Sequence, residues 1–178
     1  LRARGVAFQR DMGLDRVEYD AEYFDRYKAY EGTPISDALM AGRCALLERH
    51  AERGAAVLDI GAGAGSFVRA ALAIGYAAKG FDVMPKAIEE LQGADQFAKD
   101  PSLFDAVTFW DSIEHIEKPE SVLREVRRGA LVLVAIPVFE DLDRIRESKH
   151  YRPGEHFYYW TEKGFIDWMA AYGFRLLE

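Results

Sequence analysis

The chain has 178 residues, one cysteine and a net charge of −7, which is long enough for a domain with a real core and too poor in cysteine for a disulfide scaffold. With 49% hydrophobic and 30% charged residues it is neither disordered nor fibrous. The longest apolar run, Ala130 to Phe139, includes Pro137 and falls short of the roughly 20 residues of a membrane span, and no overall basic excess suits the chain to duplex nucleic acid.

Leu1-Arg2-Ala3-Arg4 opens no apolar run with a small-residue cleavage site, so a cytoplasmic location is expected. Tyr19, Tyr23, Tyr27 and Tyr30, with Phe24, recur at spacings of three and four, a helical stripe. Thr33-Pro34 starts a further helix, whose apolar face is read as Ile35, Leu39, Met40, Leu46 and Leu47, with Cys44 an inert helix residue. Residues 1–54 are thus expected to form an N-terminal helical cap on one domain whose main body is residues 55–178.

From Val57 onward short apolar runs alternate with helical patterns, which predicts an α/β fold, a doubly wound and mostly parallel sheet. The first strand is Ala56 to Ile60, and Gly61, Gly63 and Gly65 form the turn after it. A helix follows over Ser66 to Ile74, then a strand over Ala78 to Val83 and a helix over Lys86 to Leu91 behind Pro85. Gln96 to Ala98 offers at most a very short strand. Asp105 to Trp110 reads as a strand, and Pro119 opens a helix that ends before Gly129. Ala130 to Val138 is the most hydrophobic strand and is expected at the sheet centre. Thr161 caps a helix carrying Phe165, Ile166, Met169 and Tyr172, and Phe174 to Leu177 is read as a last strand.

The glycines after the first strand suit a sharp backbone turn that a ligand approaches closely, at a helix N-terminus. A glycine cluster alone also serves dinucleotides, but Ser66 and Asp59 fit the nicotinamide fingerprint poorly. Asp82 stands at the tip of the neighbouring strand, where an acid can hold ribose hydroxyls.

Asp59 with Gly61, Gly63 and Gly65, Asp82, the stretch from Phe104 to Ile116 containing Glu114-His115, Pro119 and the terminal Tyr-Gly-Phe resemble, as a set, the class I S-adenosylmethionine-dependent methyltransferase family. The resemblance covers roughly residues 55–178 and implies a Rossmann-like methyltransferase fold with S-adenosyl-L-methionine as cofactor. It implies that the turn of Gly61, Ala62, Gly63 and Gly65 lies against the methionine part of the cofactor, that Asp59 and Phe67 also contact the cofactor, that Asp82 takes the ribose and that Val83 and Met84 flank adenine; for Asp59 the alternative is a structural role, bonding to the N–H groups of the turn. Asp111 and Ser112 would border the cofactor, and Glu114 the substrate opening. The family sheet closes with an antiparallel hairpin, and its final strand is not accounted for in a chain that stops at Glu178.

Transfer to a hydroxyl requires a proton acceptor, for which His115, His150 and His156 are the candidates, His115 and His156 foremost. For His115 packing or capping is the commoner role in such a turn, and for His156 the two readings are even. Tyr19 and Tyr23 are read as core or as a lid favouring the sulfonium. Arg144, Arg146, Lys149, His150 and Arg152 form a cationic run, read as a solvated loop or, through His150 and Arg152, as a contact for an anionic acceptor. His150, Glu155 and His156 match no established ligand spacing, so no metal is expected. The tetrapeptide of nucleic-acid amine methyltransferases and the acidic pattern of the catechol type are both absent from the chain. The expected function is methyl transfer to oxygen or nitrogen of a small, anionic or sugar-bearing molecule. The alternatives are a non-catalytic cofactor-binding regulatory module and a nicotinamide oxidoreductase.

Overall fold

The computed structural model describes residues 5–9 and 16–178; Leu1 to Arg4, on which the absence of a leader was read, lie outside them. In chain order the elements are β1 (Val6–Phe8), α1 (Ala21–Lys28), α2 (Pro34–His50), β2 (Ala56–Ile60), α3 (Ser66–Ala73), β3 (Ala77–Phe81), α4 (Pro85–Gly93), β4 (Ala106–Trp110), α5 (Pro119–Glu125), β5 (Leu131–Ala135), β6 (Tyr158–Trp160) and α6 (Glu162–Ala171). They fall into two compact units, one of Glu18–Trp110 with Glu125–Val134, the other of the remaining described residues.

The first unit is built on a sheet of order β3-β2-β4-β5, in which β2 runs parallel to both its neighbours. Its strands bury Val57, Leu58, Ala106, Val107 and Phe109 almost completely, as expected of a parallel sheet covered by helices. Asp105 ties strand starts together: its Oδ2 accepts the Ala56 N–H at 2.8 Å, and it pairs with Arg127. Gly80 is needed for a close approach, because a Cβ there would lie 2.7 Å from Ala62 Cβ and 3.1 Å from Val68 Cγ2. The weak Gln96 to Ala98 stretch is reduced to one parallel bridge, Gly80 with Phe97.

Three expectations change here. The Ala130 to Val138 run yields β5, which stands at the end of the sheet order and not at its centre, half-buried on most residues. Phe174 to Leu177 forms no strand, and Leu176 and Leu177 are exposed, so nothing from that stretch extends the sheet beyond β5. In α2 only the C-terminal part of the face read from sequence is buried: Ile35 is 73% and Leu39 53% exposed, whereas Leu47 is buried, together with Cys44. The helix packs on α3, and its buried residues, Cys44 and Leu47, lie in its C-terminal half. The tyrosine stripe divides similarly, for Phe24 is the buried anchor of α1, packed with Met84 and Ala87, while Tyr27 and Tyr30 are exposed.

The second unit is organised by β6, which pairs antiparallel with β1 in the register Val6 with Trp160 and Phe8 with Tyr158. Alternation along β6 sorts the aromatic run onto two faces. Tyr158 and Trp160 stack at 5.1 Å and meet Trp168 of α6, whereas Tyr159 packs with Phe139, Leu142 and Ile145. Thr161 caps α6 as expected, accepting the Gly164 N–H at 3.0 Å. Among the described residues no helix is long and apolar enough to cross a membrane.

Candidate functional site

The turn after β2 takes its shape from glycine. Gly61, Gly63 and Gly65 have φ of 81°, 55° and 79°, the left-handed region that a side chain disfavours. The Gly61 and Ala62 N–H groups donate to the Phe81 carbonyl at 2.9 and 3.0 Å, which pins the turn to the end of β3. Asp82, the next residue, completes the link. Its Oδ2 accepts the Gly63 N–H at 2.8 Å, and its Oδ1 accepts those of Val83 at 2.7 Å and Met84 at 2.8 Å. A carboxylate has about four lone-pair sites, so the acid can still accept from a hydroxyl. A Cβ on Gly63 would meet nothing within 4 Å, so there is room for a ligand to lie against the turn.

Around this turn the expected residues take different positions. Val83 is 68% exposed, its isopropyl group open to a flat ring, while Met84 is buried against Phe24 and Ala87. Tyr19, Tyr23 and Ala64 of the turn pack on that same cluster, the two tyrosine rings meeting edge to face at 5.0 Å. The Phe67 ring is buried edge-on to Trp110 at 5.1 Å. Asp59 is buried too, and Thr108 Oγ1 donates to its Oδ1 at 2.7 Å. Burial pushes the Asp59 carboxyl up to about 7, against the lowering influence of Thr108 and Arg43.

Two side chains near the turn escaped the sequence reading. Arg43 of α2 lies over the Trp110 ring at 5.2 Å and acts electrostatically on Asp59. Glu31 accepts from Ser66 Oγ at the first turn of α3 and pairs with Arg69 at 2.8 Å. Ser66 and Arg69, three apart on one helix face, were the only signal in sequence for a carboxylate docking there.

The second unit carries the titratable cluster. Asp111 follows β4 with φ of 55°, unusual for a residue with a side chain, and its N–H donates to the Ala135 carbonyl at 2.8 Å. Ser112 is buried and its carbonyl accepts the His115 N–H at 3.0 Å, within a short 3-10 turn over Ile113–His115. The Glu114 carbonyl accepts the Phe157 N–H at 2.8 Å, which brings His156 alongside His115, ring centroids 4.5 Å apart at 80°. Sequence spacing gave no hint that these two histidines meet.

Glu114 is 2% exposed, and neither carboxylate oxygen has a hydrogen-bond partner in another residue among those described. Its own backbone N–H offsets part of the cost, yet burial, reinforced by Asp111, pushes the carboxyl up to about 8. Burial lowers the pKa of both imidazoles. His156 falls to about 3, helped by His115, Arg152 and His150, and His115 is lowered while a hydrogen bond to the Glu155 backbone opposes the shift. The cationic run is less concentrated than its sequence implies. Arg144 pairs with Glu147 and Arg152 with Glu155, and the side chains of Arg144, Arg152 and His150 are exposed.

A glycine turn at the C-terminal edge of a parallel sheet, closed by an acid on the adjacent strand, is an arrangement for a nucleoside-bearing ligand. The family described as a methyltransferase domain matches residues 35–178. The chain belongs to this family. The methyltransferase is of class I, with S-adenosylmethionine as its cofactor. The comparison with curated proteins found no match.

Among solved structures, the fold is similar to that of magnesium protoporphyrin IX methyltransferase (ChlM) from Synechocystis PCC 6803 with bound S-adenosylhomocysteine. The TM-score is 0.67 at 19% identity, over 94% of this chain and 91% of that one. It is also similar to a chain in the complex between the Haloferax volcanii Trm112 methyltransferase activator and a candidate methyltransferase, with a TM-score of 0.65 at 17% identity over 88% and 75% of the two chains. A candidate sarcosine dimethylglycine methyltransferase from Galdieria sulphuraria gives 0.59 at 16% identity, over 80% and 62%.

Proposed function

We propose that this methyltransferase acts on an oxygen or nitrogen of a small molecule, and that Glu114, His115 and His156 serve the acceptor. The observation that carries this reading is the buried Glu114 carboxylate, without a hydrogen-bond partner in any other described residue, beside two imidazoles. A polar group is kept in such a setting at considerable cost in stability, and function is the common reason. The fold of ChlM, whose acceptor by its name is a small molecule, agrees with it.

The cofactor supplies a methyl group on a sulfonium. The chain must align the acceptor about 3 Å from that methyl, so that the new bond forms as the carbon–sulfur bond breaks, and must dispose of a proton when the acceptor is a hydroxyl. In this reading Asp82 takes the ribose hydroxyls with the lone pairs its backbone bonds leave, and the exposed Val83 side chain lies on adenine. Gly61, Gly63 and Gly65 let the methionine portion approach the backbone, and the Tyr19 and Tyr23 rings favour the sulfonium. Exposed His150 and Arg152 draw an anionic group of the acceptor. His156, with its pKa at about 3, is a poor proton acceptor by itself, so the cluster is assigned its role as a group.

The test is transfer of labelled methyl to a panel of small phenols, carboxylates, sugars and amines by the wild type and by His115→Ala and His156→Ala. Loss of turnover with S-adenosylhomocysteine affinity intact supports the assignment. Undiminished turnover in both variants removes the cluster from the reaction.

A further inference from the structure

No metal is expected from the sequence, because the spacing of His150, Glu155 and His156 fits no ligand pattern. The fold assembles a different set. Glu114, His115 and His156 each offer one ligand atom, and these atoms lie within 4.8 Å of one another. We propose that they bind one divalent ion of the zinc class, with the carboxylate and two imidazoles as ligands and at least one position left for water or an ionisable oxygen.

Four observations of the site bear on this. First, Glu114 is almost wholly buried with both oxygens lacking a partner in any other described residue; an ion coordinated there would supply such a partner. Second, the His115 ring is hydrogen-bonded to the Glu155 backbone, a contact of the kind that orients a ligating histidine. Third, the ligands are held by backbone: the bond from Phe157 N–H to the Glu114 carbonyl sets the spacing between the 3-10 turn and His156. Fourth, two neutral imidazoles with one carboxylate suit zinc-class ions and not magnesium or calcium, which prefer an all-oxygen shell.

Zinc bonds of about 2.0–2.1 Å place tetrahedral donors about 3.4 Å apart, inside the 4.8 Å limit within which the three ligand atoms lie here. With three protein ligands the ion keeps an open coordination position, as zinc sites that do chemistry do. A phenolate, enolate or carboxylate oxygen of the acceptor is the class of ligand that would fill it. That last clause rests on the methyltransferase reading above; ion binding itself does not.

The experiment is titration of the chelator-treated full chain with Co²⁺ and, in competition, Zn²⁺, with Mg²⁺ as the comparison ion, alongside calorimetric titration with S-adenosylhomocysteine. One Co²⁺ per chain is expected, with visible absorption of four- or five-coordinate cobalt, displaced by Zn²⁺ and not by Mg²⁺. Glu114→Gln and His156→Gln should each weaken binding by at least tenfold, and His50→Ala, at the C-terminal end of α2, should leave it unchanged. Should a buried variant unfold, imidazole nitrogen NMR of the wild type decides, since two of its four histidines should shift on adding Zn²⁺. No stoichiometric uptake by folded chain, uptake indifferent to both variants, or shifts confined to other histidines would overturn the proposal. Normal S-adenosylhomocysteine binding in the same samples would show that the metal site alone had failed.

Discussion

Asp82 accepts the Gly63 N–H at 2.8 Å, so the acid at the end of β3 closes the glycine turn at the end of β2. The same carboxylate holds the Val83 and Met84 N–H groups that lead into α4. Turn and helix start are therefore shaped together by one side chain. Hydrogen bonds to a charged group contribute about 1.5–3 kcal/mol each. Asp82→Ala should raise the dissociation constant for S-adenosylhomocysteine by at least about tenfold, and Asp82→Asn, which keeps one acceptor oxygen, should raise it less. Calorimetric titration checks the order, and equal affinity in all three proteins would remove Asp82 from cofactor binding.

Asp59 predicts a pH dependence of stability. Its carboxyl titrates near 3.8 when unperturbed and about 7 in the folded chain, because burial penalises the charge. The folded state thus binds more protons than the unfolded state across that window. Stability from this group is fully present below the unfolded value and is lost as pH rises through about 7. Urea midpoints of the wild type should fall between pH 5 and pH 8, and Asp59→Asn, which keeps an oxygen for Thr108, should flatten the fall. An identical slope in the variant would contradict the assignment.

Close packing at Gly80 can be probed by a paired substitution. Gly80→Ala puts a methyl group 2.7 Å from Ala62 Cβ and should cost about 1–3 kcal/mol, the range for overpacking. Adding Ala62→Gly removes the nearest clash and should recover part of that loss, an interaction read from a double-mutant cycle in denaturant. Strict additivity of the two changes would mean that the strain lies elsewhere.

The buried face of α2 makes a simple contrast. Leu47 is fully buried and Leu39 is 53% exposed, so Leu47→Ala should cost about 2–5 kcal/mol and Leu39→Ala no more than about 0.5 kcal/mol. Chemical denaturation of the two variants measures both. Comparable losses would restore the apolar face read from sequence.

By itself the sequence determined the βα alternation, the glycine turn with its partner acid, and the helix starts at Thr33, Pro85, Pro119 and Thr161. Each of these is written in local chemistry: a period of two or 3.6, a missing Cβ, a fixed φ or a capping hydroxyl. Tertiary structure alone decided where the strands stand and which distant groups meet. The apolar run that became β5 reads as a central strand, yet burial of a strand depends on whether another follows beside it, and Phe174 to Leu177 does not pair. Pairing of β1 with β6 joins Val6 to Trp160 and Phe8 to Tyr158, a sequence separation beyond any periodicity. The meeting of Glu114 and His115 with His156 depends on one long-range backbone bond, from Phe157 to Glu114. Local patterns carry no record of such a contact, because it is made only when two separate segments are packed together.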